Sequence, residues 1–320
     1  MSTPKGTRKY RMELPVFFAL IILLGVFLIA NPKVFLSPRA YAAVFTTAPL
    51  TAILATVAVF MVVSGEIDLS FPSIVGLGAY IFALVSTKWG NPSLAFLLAL
   101  LTGWITGLFN GLLVAYIGLS SLVATLGMNF LIRGLIMMLT QGHGITLVSI
   151  KDSLLRKILV GTIGLFPLQV LWGAGLISLA WVIFNRHKFG MHVGFVGDNL
   201  QSARAMGIDV ERVKLRVFGL MGLTSSFVGI LSALLNLTFW PTTGDGYLLV
   251  VLAAVFVGGT PTWGGIGTII GAVIGSLILS FIDTGIIASG LTGFYTQFFY
   301  GLILILALIS HKFSGITRLK

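Results

Sequence analysis

The sequence predicts an all-α polytopic membrane protein of about ten transmembrane helices, with broken or re-entrant segments and both termini in the cytoplasm. Three observations carry this fold class. Only 9% of the 320 residues are charged and 57% are hydrophobic, whereas soluble domains carry roughly 25% charged residues, so the chain lacks the charge to cover a water-facing surface. Its mean hydropathy is +1.05. Its apolar runs last about 20 residues without the alternation of barrel strands, which selects helices over a barrel.

In chain order, the expected spans are residues 14–30, 41–63, 72–87, 93–116, 121–140, 163–184, 215–238, 246–258, 264–283 and 291–310. The first follows Lys5, Arg8, Lys9 and Arg11 but lacks a small-residue cleavage site, so it reads as a retained helix rather than a signal peptide. The connection 141–162 has room for a short surface helix, read either as a plain loop at the membrane face or as a contact for an external partner. The run 246–258 is short enough for a half-helix. With the N-terminus in the cytoplasm, thirteen Lys and Arg, Arg318 and Lys320 included, fall on that side against six opposite. The positive-inside rule expects this bias, with Lys151, Arg156 and Lys157 a local exception. Residues 1–320 thus form a single transmembrane domain with a cytoplasmic loop at 185–214.

Composition also excludes chemistry. The net charge of +11 sits at span ends, which suits lipid topology better than nucleic-acid binding. The absence of cysteine rules out disulfides, iron–sulfur clusters and thiolate zinc. His143, His187, His192 and His311 show no metal-ligand spacing, and no G-x-x-x-x-G-K-[ST] loop occurs. No metal site or cofactor is expected on this chain.

One sustained polar segment interrupts the apolar chain, Phe195-Val-Gly-Asp-Asn-Leu-Gln-Ser-Ala-Arg-Ala-Met-Gly-Ile208. It reads as a helix of about two turns near 198–206, outside the membrane. Asp198 or Asn199 supplies the N-cap; with Asp198 as cap, Gln201 takes the third helical position and approximates a capping box. Gly207 supplies the left-handed residue that ends such a helix. Leu200, Ala203 and Met206 make one small apolar face, with Arg204 off it. A helix this short is marginal alone in water, so that face needs the membrane domain, a partner, or both.

The pattern Gly197-x-Asn199-x-x-Ser202-Ala203-x-x-x-Gly207-Ile208 resembles the cytoplasmic coupling-helix motif of ATP-binding-cassette (ABC) import permeases. It is particularly similar to the ribose-type branch, which takes up monosaccharides; Ser202 stands where the usual motif has alanine. The resemblance implies that this helix docks into a groove of a separate ATPase subunit and carries its movement to the membrane helices.

Two further landmarks interrupt the spans. In Ser64-Gly-Glu-Ile-Asp-Leu-Ser-Phe-Pro72, charge inside an apolar stretch demands a turn, an interface or a wet cavity. Pro72 fits the first turn of a new helix with Ser70 as its cap. Asp68 and Ser70 are placed to satisfy the exposed amides there; substrate contact, or proton coupling through Glu66 or Asp68, are the competing roles. The segment resembles the G-G-I-D-L-S-V-G signature of the same branch from Gly65 onward, with Glu66 and Pro72 replacing glycines. The second landmark runs from Gly258 to Gly275. Gly258, Gly259, Gly264 and Gly265 let the chain reverse around Pro261, and Gly267, Gly271 and Gly275 form a small-residue stripe for close helix packing. Gly103, Gly107 and Gly111 form another. This block resembles the late G-G-x-x-x-x-G-G-x-G segment of ribose-type permeases. Both breaks follow a span running inward and precede one running outward, which points to related halves.

Few polar groups are available to line a path: Arg133, Asn110, Asn129, Asn236 and Asp283, then Trp240, Asp245, Tyr247, Tyr295 and Gln297. Arg133 is costly inside a span unless it snorkels from near an end, and Trp240 and Tyr247 also suit an interfacial belt. The resemblance covers essentially the whole chain. It implies the permease subunit of an ATP-driven importer for a monosaccharide or similar small polar solute, in a prokaryotic cytoplasmic membrane. It further implies a second permease, ABC ATPase subunits and an extracytoplasmic solute-binding protein. Sister permeases carry nucleosides, inositol, branched-chain amino acids or a furanosyl signalling molecule. An ATP-independent secondary transporter is the competing class.

Overall fold

A computed structural model describes residues 5–291 and 293–313, with side chains for 13–291 and 293–310. Arg318 and Lys320, counted for orientation, lie outside the described residues. The chain opens with α1 (Lys5–Ala30), the one-turn α2 (Pro32–Phe35) and α3 (Pro38–Val63). There follow α4 (Phe71–Trp89), α5 (Pro92–Ala115) and α6 (Ser121–Thr140). The next connection holds β1 (Ile145–Thr146), α7 (Leu154–Val160) and a hairpin of β2 (Thr162–Ile163) and β3 (Phe166–Pro167). The second half comprises α8 (Gln169–Arg186), α9 (Lys188–Asp198), α10 (Leu200–Ala205), α11 (Val210–Asn236), β4 (Thr238–Phe239), α12 (Tyr247–Val257), α13 (Ile269–Ala288) and α14 (Phe294–Phe313).

Among the described residues, seven helices are long and apolar enough to cross a membrane: α1, α3, α4, α5, α6, α11 and α13. The apolar α12 and the Phe294–Ser310 part of α14 are shorter, and α8 ends in the polar Asn185 and Arg186. The expected ten segments therefore divide into seven full spans and three shorter or more polar ones. Several boundaries move for local reasons. The segment expected from 163 becomes helical only at Gln169, because Gly164 is left-handed and closes the β2–β3 hairpin. The segment expected from 264 starts at Ile269, since Gly264 and Gly265 are both left-handed. The surface helix allowed for in 141–162 is α7, capped by Ser153 and tied to α11 by Arg156, whose Nε donates to the Leu234 carbonyl.

The core lies around α3, α4 and α11. The apolar window of α3 is 89% buried and that of α11 72%, against 6% for α1 and 28% for α6. α1 and α6 thus present apolar faces outward, as helices in contact with lipid or a partner do. The stripe Gly103, Gly107 and Gly111 lets α5 lie against α11: a Cβ on Gly107 would meet the Phe218 carbonyl at 2.4 Å. Gly271 and Gly275 do the same for α13 against Gly258 and Ala254. Gly267, ahead of α13, packs on Val63 and Thr260. β1 pairs antiparallel with β4, Ile145 opposite Phe239.

Candidate functional site

The polar segment at 195–208 forms two helices rather than one. α9 runs to Asp198, and Asn199, extended at φ −155°, breaks the chain and caps α10 by accepting from the Ser202 amide at 2.9 Å. Asp198 is therefore not the cap. The expected capping box with Gln201 does not form, because the third helical position falls on Ser202. α10 covers Leu200–Ala205, shorter than the expected 198–206. Its end is a Schellman closure: Gly207, at φ +76°, donates to the Arg204 carbonyl at 2.9 Å and Ile208 donates to that of Ala203 at 3.1 Å. The expected three-residue apolar face divides. Ala203 is fully buried with Ile208 behind it, whereas Leu200 and Met206 are exposed. One small residue anchors α10, and two large apolar ones are left outside.

The other two motifs meet this helix pair at its start. α3 ends at Ser64 with Gly65 left-handed; Gly65 donates to Val62 and Glu66 to Met61, each at 3.0 Å. α12 ends the same way: Gly259 is left-handed and donates to Phe256 at 2.9 Å, and Thr260 donates to Val255 at 3.2 Å. From there the chain returns so that the Gly265 amide donates to the Val63 carbonyl at 2.8 Å. Gly197 sits on that bond. A Cβ there would lie 1.7 Å from the Val63 oxygen and 2.7 Å from the Gly265 nitrogen. Gly264 in turn packs on Gly65 and on the Gly197 carbonyl. Gly65, Gly197, Gly264 and Gly265, drawn from three separate motifs, thus make one backbone-to-backbone junction.

Charge pairs frame it. Glu66 pairs with Lys214 of α11 at 2.5 Å, both side chains largely buried. Glu66 is not among the residues with positive φ, so it replaces a glycine without backbone strain. Arg204 of α10 pairs with Glu211 at 2.5 Å, and Asp209, which caps α11, pairs with Arg212. Between α10, the Gly65–Ile67 turn and the α5–α6 loop lies a cleft of about 720 Å³, lined by Leu200, Arg204, Glu66, Glu211, Lys214 and Ser121 among others.

Asp68 is buried and caps the start of α4, its Oδ1 accepting from the Ser70 amide at 2.7 Å and the Ser70 hydroxyl at 2.6 Å. The cap is thus supplied by Asp68 and not by Ser70, whose oxygen instead accepts from Asn110 Nδ2 at 2.7 Å. Pro72 is the second residue of α4. Thr125 and Ser121 of α6 accept from the amides of Leu69 and Ile67. Burial pushes the Asp68 carboxyl up to about 6, against the downward pull of its hydrogen bonds from Ser70 and Phe71.

The five leading path candidates do not form one set. Arg133 and Asn129 share α6: Asn129 accepts from Ser73 at 2.5 Å, and Arg133 pairs with Asp245 and donates to the Pro241 and Thr243 carbonyls. Arg133 is therefore a paired interior residue and not a snorkelling one. Asn110 belongs to the Asp68–Ser70 group. Asn236, exposed at the end of α11, bonds back to its own helix. Asp283 is half-buried on α13. Tyr295 and Gln297 are exposed on α14. Sequence reasoning missed Lys214 as the partner of Glu66 and Ser121 and Thr125 as supports of the turn; no local pattern marks them.

Residues 40–308 match the family described as branched-chain amino acid transport system / permease component. Curated relatives cover nearly the whole chain. The autoinducer 2 import system permease protein LsrC of Photorhabdus laumondii is 31% identical over 96% of this chain and 90% of its own length. Its counterpart in Klebsiella pneumoniae is 34% identical over 93% and 85%, and that in Yersinia pseudotuberculosis 32% over 94% and 84%. A helical membrane bundle with these motifs, matched end to end in this way, belongs to the binding-protein-dependent transport permease family and is the permease component of an ABC importer.

Proposed function

We propose that the α9–α10 end of this permease faces the cytoplasm and receives a separate ATPase subunit, whose movement is passed to α3 and to the α12–α13 loop through the glycine junction. The observation that carries this reading is the contact of Gly197 with Val63 and Gly265: a displacement of the α9–α10 corner meets the end of α3 and the loop between α12 and α13 with no side chain between. Leu200 and Met206 supply the exposed apolar contacts for the ATPase, and Asn199, Ser202, Ala203, Gly207 and Ile208 hold the helix in shape. The full importer contains a second permease and an extracytoplasmic solute-binding protein, in a prokaryotic cytoplasmic membrane. We assign the cargo to the monosaccharides and related furanosyl solutes, on the ribose-type signature at Ile67–Ser70 and on relatives whose names assign them to autoinducer 2 import. The engagement of Glu66 with Lys214 and of Asp68 with the α4 cap supports structural roles for both carboxylates over proton coupling.

Gly207→Pro and Arg204→Glu test the reading. Arg204 and Glu211 are surface groups whose pairing is worth about 0–1 kcal/mol, so Arg204→Glu should leave the protein in the membrane at normal abundance. Uptake and co-purification of the ATPase should both be lost. Normal uptake and ATPase binding in both variants would remove the coupling role of α10.

A further inference from the structure

The chain between α11 and α12 gives up helical structure inside the bundle. Leu237 is left-handed, Thr238–Phe239 pair with β1, and 240–246 turn without helix before α12 begins. The glycine contacts define the depth of this turn. A Cβ on Gly244 would lie 2.0 Å from the Pro72 carbonyl, and one on Gly76 would lie 2.7 Å from that of Thr243. The turn therefore leans on the first turns of α4. The same stretch of α4 lies beside the middle of α11, since Gly229 meets Val75 and Gly78 meets Ser226. Gly244 is thus level with Ser226–Gly229, roughly 10–15 Å below the end of α11 at 1.5 Å per residue.

Irregular backbone at such depth persists only where protein buries it or water borders it. Here the two sides of the turn differ in burial. Pro241 and Gly244 are buried, and Arg133 takes up the Pro241 and Thr243 carbonyls. Thr242 is exposed, and the Asp245 side chain keeps 57% of its surface free despite its pair with Arg133, which is 16% exposed. A carboxylate turned to lipid at that depth is strongly disfavoured, which favours a wet surface over lipid at the exposed edge. Trp240, 58% exposed, lies just above it against Gly144.

We propose that Thr242, Asp245 and Trp240, held in place by Arg133, form a contact site for a neutral polyhydroxylated solute crossing the membrane. Arg133 balances Asp245, so the site carries no net charge and favours an uncharged solute. Asp245 and Thr242 accept solute hydroxyls, while the indole of Trp240 covers an apolar ring face. The class of solute rests on the importer reading; the water-bordered site does not.

The chain contains no cysteine, so single cysteines in the full-length protein report without background. In membranes, Thr242→Cys and Asp245→Cys should react with a charged methanethiosulfonate at least about tenfold faster than Phe130→Cys and Leu131→Cys, given what a charge costs in lipid. Those two controls are exposed on α6, at 69% and 60%. At twice its dissociation constant, a solute that occupies the site slows labelling about threefold, and D-ribose or another member of a panel of neutral pentoses, hexoses and polyols should do so where sodium glutamate does not. Labelling at the control rate, whether lipid or a second permease covers the turn, overturns the site. Labelling that no member slows overturns the solute contact. Thr242→Cys keeps the Arg133–Asp245 pair, so a folding defect in Asp245→Cys does not blur the result. Protection combined with ATP-independent uptake would leave this site standing and remove the importer coupling instead.

Discussion

At the α10 end, Gly65, Gly197, Gly264 and Gly265 meet backbone to backbone, whereas the turn from Leu237 to Gly246 adds the side-chain ties of Arg133 to its glycine contacts with α4. Both regions interrupt helices, yet they hold the interruption in different ways. Contacts between backbones have no rotamers to absorb a displacement, so the junction at Gly197 ties the α9–α10 corner tightly to the end of α3 and to the α12–α13 loop. The turn before α12 carries in addition a guanidinium bound to two of its carbonyls and to Asp245, and its exposed edge stays polar. The first arrangement suits the transmission of movement; the second suits a surface that meets a passing solute.

The largest effect should come from Gly197→Ala. Its methyl would lie 1.7 Å from the Val63 carbonyl, and no side-chain rotation relieves that clash, so the cost should exceed the roughly 1–3 kcal/mol typical of overpacking. Thermal unfolding of the purified protein should show a fall of several degrees and uptake should vanish. A wild-type midpoint would mean that the junction has slack, and the contrast with the Arg133 turn would fail. Next comes Lys214→Met, which strands the largely buried Glu66 at about 3 kcal/mol, while the double variant Glu66→Gln/Lys214→Met should recover most of that loss. A cycle without coupling would show the pair to be incidental to the junction. The smallest effect is expected for Arg133→Gln, at about 2 kcal/mol for hydrogen bonds to a charged group. Amide exchange should then rise across 237–246 and stay unchanged across 195–208. A rise in both segments would merge the two regions into one cooperative unit.

Much of the local structure was legible because its causes lie within a few residues. Gly207 and Ile208 close α10 through bonds to Arg204 and Ala203, all inside the segment read as a helix. The choice between Asp198 and Asn199 as cap was not legible, since both side chains accept the same bond; it was decided when α9 extended through Asp198. The same applies to Ser70, displaced as cap by Asp68 because its hydroxyl is engaged with Asp68 and Asn110. The break before α12 showed in the sequence as a short apolar run. Its depth did not, because that depends on Gly244 meeting Pro72 far away in the chain.

By itself the sequence determined a helical membrane bundle, its approximate spans, the kind of cap at each end of α10 and the three motifs of an importer permease. Hydropathy, capping chemistry and left-handed glycines act over one to a few turns, so they can be read along the chain. Only the tertiary structure decided that the three motifs converge on Gly197, that Lys214 answers Glu66, and that Arg133 pairs with Asp245 while Asn110, Asn236 and Asp283 lie elsewhere. Those outcomes depend on which backbones can approach within about 4 Å of one another, and that follows from how α3, α4, α11 and α12 pack, not from any spacing along the sequence.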